Sequence, residues 1–281
     1  MINDSFVCSF FFLLVLLSVF PLQPSFSQGN LLVNPRRVVF EGNRRSFDLN
    51  LANIGQDTAT YAISFVQIKM NEDGVFEIVS TPDPGQMFAD QNLRFFPRQI
   101  TLAPNEAQVV KLQLLRANQL SPGEYRSHLY FRAIPKAVAL GEKDKPAVTE
   151  TISVQIKPIV GITIPAIIRV GQISAAVTLT DLSININTEG IPEFRIRFNR
   201  TGDASIYGDI AVDHISPSGT VTRVGIANGI AVYTPNKTRY FRLYLAGDAG
   251  VDYKSGRLKV TFSAPSDIKP QKYAEADLVL Q

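Results

Sequence analysis

Apolar residues return at every second position in one short segment after another, and no segment sustains helical spacing. In Arg45–Gln56 the residues Phe47, Leu49 and Leu51 alternate with Asp48 and Asn50 and run into an Asn53-Ile54-Gly55 turn. The same period recurs in Tyr61–Ile68, Phe95–Leu102, Gln108–Leu115 and His128–Ile134, and then in Val177–Ile186, Glu193–Asn199, Ile206–Ile215, Thr238–Leu245 and Arg257–Ser263. Each run is short and bounded by Gly, Pro or Asn, as in Asn71–Gly74 (NEDG), Ala103–Glu106 (APNE) and Ser121–Glu124 (SPGE). A strand with one apolar face must bury that face against another sheet. The predicted fold is therefore all-β, two antiparallel sandwiches joined near Pro165.

The first residues read as an export signal. Phe6–Phe20 is a nearly continuous apolar run, followed by Pro21, Pro24 and the small residues Ser25 and Ser27 that suit a cut before Gln28. The run is shorter than the roughly 20 apolar residues of a membrane-spanning helix. Cys8, inside it, is the one cysteine of the chain, so residues 28–281 form no disulfide and are held by burial alone. The charge is nearly balanced, with 28 basic and 25 acidic residues, of which only Asp4 lies in the leader. Such an excess does not mark a nucleic-acid binder.

Thr149–Ile164 (TETISVQIKPIVGITI) stands out between the two halves. Ile152, Val154 and Ile156 alternate with Thr151, Ser153, Gln155 and Lys157, the pattern of a strand with one apolar face. It follows the charged stretch Lys136–Ala147, and Pro158 interrupts its alternation. Its position makes it a candidate for a strand that serves a partner.

Groups that do chemistry are scarce. His128 and His214 both fall inside alternating strands, no His-Glu-x-x-His spacing occurs, and there is no Gly-rich phosphate loop or Gly-x-Ser-x-Gly elbow. Asp181, Asp203 and Asp209 are dispersed over turns and strand ends. The expectation is a protein that is not an enzyme, with no catalytic residue, no metal, no cofactor and no small-molecule substrate.

Four motifs, in order, resemble the periplasmic chaperones of chaperone/usher pilus assembly, the PapD-like family. They are Asn34–Gly42 (NPRRVVFEG), Phe47–Gln56 (FDLNLANIGQ), Pro97–Leu112 (PRQITLAPNEAQVVKL) and Gly123–Pro135 (GEYRSHLYFRAIP), the last with its Glu and Pro eleven residues apart. The resemblance covers about residues 30 to 165; the second half is similar in size and β character only. It implies two immunoglobulin-like β-sandwich domains joined at an angle, divided as a leader over 1–27, a first domain over 28–162 and a second over 163–281.

The resemblance also implies a mechanism, a periplasmic location and a role in fimbrium biogenesis. Pilus subunits of this kind lack their last strand and expose a groove with open edges that invite aggregation. The chaperone fills that groove with a strand of its own, main-chain hydrogen bonds supplying affinity and alternating side chains entering pockets. It then delivers the subunit to an outer-membrane usher. Here the donor residues are expected to be Ile152, Val154 and Ile156, each contributing about 1.5–3 kcal/mol when buried. A basic pair is expected to grip the subunit's terminal carboxylate: Arg37, with Arg36 facing the other way, and Lys157. The family continues Lys-Leu-Phe-Tyr-Arg-Pro where this chain has Pro158–Pro165 (PIVGITIP), a departure at the lysine. On the residues alone, a two-domain secreted adhesive or structural sandwich protein is the alternative.

Overall fold

The computed structural model describes residues 31–135, 159–246, 250–266 and 268–280. They form two β-sandwiches, in agreement with the all-β expectation. The first is built from β1 (Leu31–Asn34), β2 (Val38–Phe40), β3 (Ser46–Asn53), β4 (Ala59–Val66), the hairpin β5 (Ile68–Met70) and β6 (Phe76–Ile78), β7 (Leu93–Phe96), β8 (Gln99–Leu102), β9 (Ala107–Leu114), β10 (Gly123–Ile134) and β11 (Gly161–Val170). One sheet has the order β1-β3-β9-β7 and the other β2-β11-β10-β4-β8. Between them lie Leu49, Leu51, Leu112, Leu129 and Phe131, all fully buried. The alternation of Phe47–Leu51 thus points inward as its period requires.

The first strand changes sheets. β1 pairs antiparallel with β3, whereas β2, three residues on, pairs parallel with β11 through Val38↔Ala166, Val39↔Ile167 and Phe40↔Ile168. Pro35 lies at the crossing and lacks the N–H that a continuing ladder would use. Arg37, the residue just before β2, is thereby placed at the rim of the second sheet. Further along, buried Asn53 pins its predicted turn: its Nδ2 donates to the carbonyls of Asp57, Leu102 and Ala103, and its Oδ1 accepts from Gly55 N–H.

The second sandwich comprises β12 (Ala175–Ile186), β13 (Pro192–Gly202), β14 (Ile206–Ile215), β15 (Val221–Val232), β16 (Thr238–Tyr244), β17 (Arg257–Ser263) and β18 (Lys272–Val279). Its sheets run β12-β13-β16 and β15-β14-β17-β18 around Phe194, Phe198 and Phe262. The Phe198 and Phe262 rings meet edge to face at 5.1 Å. β15 was not evident in the sequence. Gly225 and Gly229 interrupt its alternation, and its pairing with β14 shifts register twice.

One expected boundary is corrected. The division at residue 162 falls inside β11, which pairs with β10 from Arg132↔Gly161 to Gly123↔Val170 and so carries the first sandwich to Val170. Pro165 does not end the strand. It stands opposite His128 on β10, while on its other side β2 begins to pair only at Ala166, so a residue without an N–H is tolerated there. Of the expected strand over Thr149–Ile164, only its last part is described, from Ile159; the donor residues Ile152, Val154 and Ile156, together with Lys157, lie outside the described residues.

Candidate functional site

Strand β10 is buried on both faces. Its odd-numbered Leu129, Phe131 and Ala133 enter the first core, which sends the even-numbered Glu124, Arg126 and His128 to the opposite face. On β11 the residues Ile164, Ala166 and Ile168 enter the core, and Ile167 and Arg169 look the other way. The two strands therefore present one composite back face, and the second sandwich covers it. Ile167 and Met70 pack with Ala231 and Tyr233, with Val39 and Tyr207 alongside.

Two polar groupings sit on that face. At one end the Glu124 carboxylate, fully buried, accepts hydrogen bonds from Ser205 N–H (2.9 Å), the Ser205 hydroxyl, Thr234 Oγ1 (3.2 Å) and Arg169 Nε (3.1 Å). Arg169 Nη2 donates to the Ser205 carbonyl at 2.8 Å. The acid of the Gly123–Pro135 motif thus joins the two sandwiches. Its oxygens are saturated with donors, as burial of a charge requires.

At the other end is an arginine cluster around Tyr233, the residue that follows β15. The Arg126 guanidinium lies 4.1 Å and that of Arg37 5.3 Å from the Tyr233 ring centre, Arg37 being also 4.6 Å from Tyr207. Arg37 Nη1 donates to the Tyr233 hydroxyl at 3.1 Å. His128 and Phe76 complete the wall, their rings 6.3 and 6.2 Å from Tyr233. The β5–β6 hairpin reaches across: Met70 O accepts from Asn236 Nδ2 and Glu72 O from Tyr240 N–H. At its tip Gly74 has φ +82°, and a Cβ there would fall within 3 Å of the Arg239 guanidinium.

The electrostatics are those of crowded, buried cations. Burial pushes Arg126 down to about 10, Tyr233 and Glu124 oppose the shift, and Arg37 adds to it. His128 is pushed down to about 3 by burial and then by Arg126 and Arg37, so its imidazole is neutral at neutral pH. Burial lowers Arg239 too. Among the described residues, Arg37 Nη2, Arg126 Nε and Nη1, His128 Nδ1 and Arg239 Nε are buried without a hydrogen-bond partner. Each such group costs about 1–3 kcal/mol. Several cations with unused donors are suited to an anion.

Of the sequence-derived site residues, Arg37 is in this cleft, and Arg36 is exposed. Arg37 also lines an open cavity of about 450 Å³ with Pro35, Arg44, Ser46, Phe47 and Asp48. The β11 residue beside it is Pro165, since Val38 pairs with Ala166. Sequence reasoning missed Arg126, Arg239, Tyr233 and the linking role of Glu124. A signal was present in Glu124-x-Arg126-x-His128, a polar stripe on a strand whose other face continues as Leu129, Phe131 and Ala133. His214 is structural, its Nε2 2.9 Å from the Ser255 carbonyl oxygen. Among the described residues no group of three or more His, Cys, Asp or Glu side chains is placed to hold a metal ion.

No family model and no curated protein matches the sequence. Solved structures with a similar course include the chaperone–tip adhesion subunit pre-assembly complex CsuC–CsuE of Acinetobacter baumannii, at 15% identity and TM-score 0.45 over 89% of this chain and 99% of that one. The Pseudomonas aeruginosa CupB2 chaperone is similar at 14% identity and TM-score 0.44, over 89% and 100%. The E. coli chaperone DraB is similar at 12% identity and TM-score 0.42, over 89% and 96%.

Proposed function

We propose that the protein is a periplasmic chaperone that keeps pilus or fimbrial subunits soluble by donor-strand complementation and passes them to an outer-membrane usher. The observation that carries this reading is the position of Arg37. It stands where the first strand changes sheets, on the rim of the cleft, with Nη2 unpaired among the described residues and an open cavity beside it. In this reading its guanidinium grips a subunit's terminal carboxylate, the role that the resemblance of Asn34–Gly42 implies for it. Ile152, Val154 and Ile156 are the inserted residues in this reading, and Lys157 is the second anchoring cation. No ATP and no covalent bond is needed, because burial of three aliphatic side chains supplies about 4.5–9 kcal/mol before ordering costs.

The test is co-expression with a candidate subunit and purification of the complex. Joint replacement of Ile152, Val154 and Ile156 by Asp is expected to leave the subunit aggregated or degraded. Recovery of equal amounts of soluble, intact subunit with the replaced chain would end this reading.

A further inference from the structure

We propose that Arg126, on the back face of β10, is a cation of the anion site together with Arg37, that Tyr233 of the second sandwich holds the two guanidiniums in place, and that the ligand is a polypeptide's terminal carboxylate. The identity of the partner rests on the reading above; the anion site itself does not.

Three observations carry it. Arg37 and Arg126 come from different strands and both face the ring of one tyrosine, at 5.3 and 4.1 Å, so like charges are gathered rather than dispersed. Among the described residues Arg37 Nη2 and Arg126 Nε and Nη1 have no partner, although Arg126 is only 3% exposed. The nearby acid is already engaged: Glu124 accepts from Ser205, Thr234 and Arg169. A carboxylate accepts about four hydrogen bonds, enough to take up three free guanidinium donors. Arg37 borders an open cavity, whereas Arg126 is buried behind it against the Tyr233 ring. The strand residue beside Arg37 is Pro165, which carries no charge, so that position of β11 supplies no cation.

The experiment titrates sodium acetate into the purified protein at constant ionic strength, with chloride and acetamide as controls, following the side-chain Nε–H resonances of arginine by NMR. The Arg37 and Arg126 signals are expected to shift saturably with acetate alone. Arg126→Gln is expected to weaken acetate binding roughly tenfold or more, the loss of one charge-assisted pair, and Arg36→Gln on the exposed side to change nothing. An Arg126 signal indifferent to acetate, or an equal response to chloride, overturns the site. If Arg126→Gln does not fold, the wild-type titration decides alone. Acetate binding without capture of any subunit would keep the site and discard the chaperone reading; subunit capture with a silent Arg126 would do the reverse.

Discussion

The carboxylate of Glu124 in the first sandwich accepts a hydrogen bond from the backbone N–H of Ser205 in the second, at 2.9 Å and out of contact with solvent. The link is side chain to main chain, so it orients the second sandwich through its backbone. Arg169 donates to both partners, to Glu124 at 3.1 Å and to the Ser205 carbonyl at 2.8 Å. Replacing Glu124 by Ala leaves Arg169 Nε and the buried Ser205 N–H without their acceptor. The expected cost is about 3–5 kcal/mol, typical of one partner removed from a buried ion pair. Urea denaturation measures it, and small-angle X-ray scattering should report a broader distribution of domain separations. An unchanged midpoint would show that the junction does not depend on this acid.

His128 makes the fold acid-sensitive. Its folded value, near 3, lies below the ordinary histidine value of 6.5, because burial and the guanidiniums of Arg126 and Arg37 disfavour the charged ring. The unfolded chain therefore binds a proton that the folded one refuses, and stability falls as pH drops below about 6.5. The slope is about 1.4 kcal/mol per pH unit, or about 2 kcal/mol between pH 7 and pH 5. Glu124, the neighbouring acid, faces this cluster as well. In His128→Leu that part of the slope should vanish, as measured from urea midpoints at both pH values; an identical slope refutes the assignment.

Arg37→Ala separates binding from folding. Its cation–π contacts with Tyr207 and Tyr233 are each of the order of 0.5–1 kcal/mol, so the stability change should be small. Subunit capture in a pull-down should fall roughly tenfold or more if the guanidinium holds a carboxylate. Unchanged capture would remove Arg37 from the site.

Asn53→Ala tests the turn that begins at the end of β3. The change deprives the carbonyls of Asp57, Leu102 and Ala103 and the N–H of Gly55 of their partner. A loss of about 2–4 kcal/mol is expected for orphaning that many buried groups. Asn53→Asp should be nearly as damaging, because a carboxylate keeps the bond to Gly55 but cannot donate to the carbonyls. Thermal unfolding of both variants checks the order.

The strands of the two cores were legible in the sequence because each has one apolar face. Phe47, Leu49 and Leu51 alternate without interruption, and β3 buries Leu49 and Leu51 completely. β14 runs from Ile206 to Ile215, the bounds the alternation implied. β15 and β18 were not read from the sequence; glycines and two register shifts blur the period of β15. The end of the first sandwich was misplaced because a proline reads locally as a strand terminator, and whether its missing N–H matters depends on which neighbour lies beside it.

The same distinction runs through the candidate site. Alternation and turn residues, which are local along the chain, determined the fold class and the inward residues, and the resemblance of the Asn34–Gly42 motif singled out Arg37. The gathering of Arg37, Arg126 and Arg239 around Tyr233 draws on residues up to about 200 positions apart, and only the docking of the two sandwiches decided it. A buried cation and a solvated surface arginine look alike in a sequence. What separates them is the second sheet laid over the back of β10 and β11, which removes water from one stripe of side chains and leaves their unused donors facing the cleft.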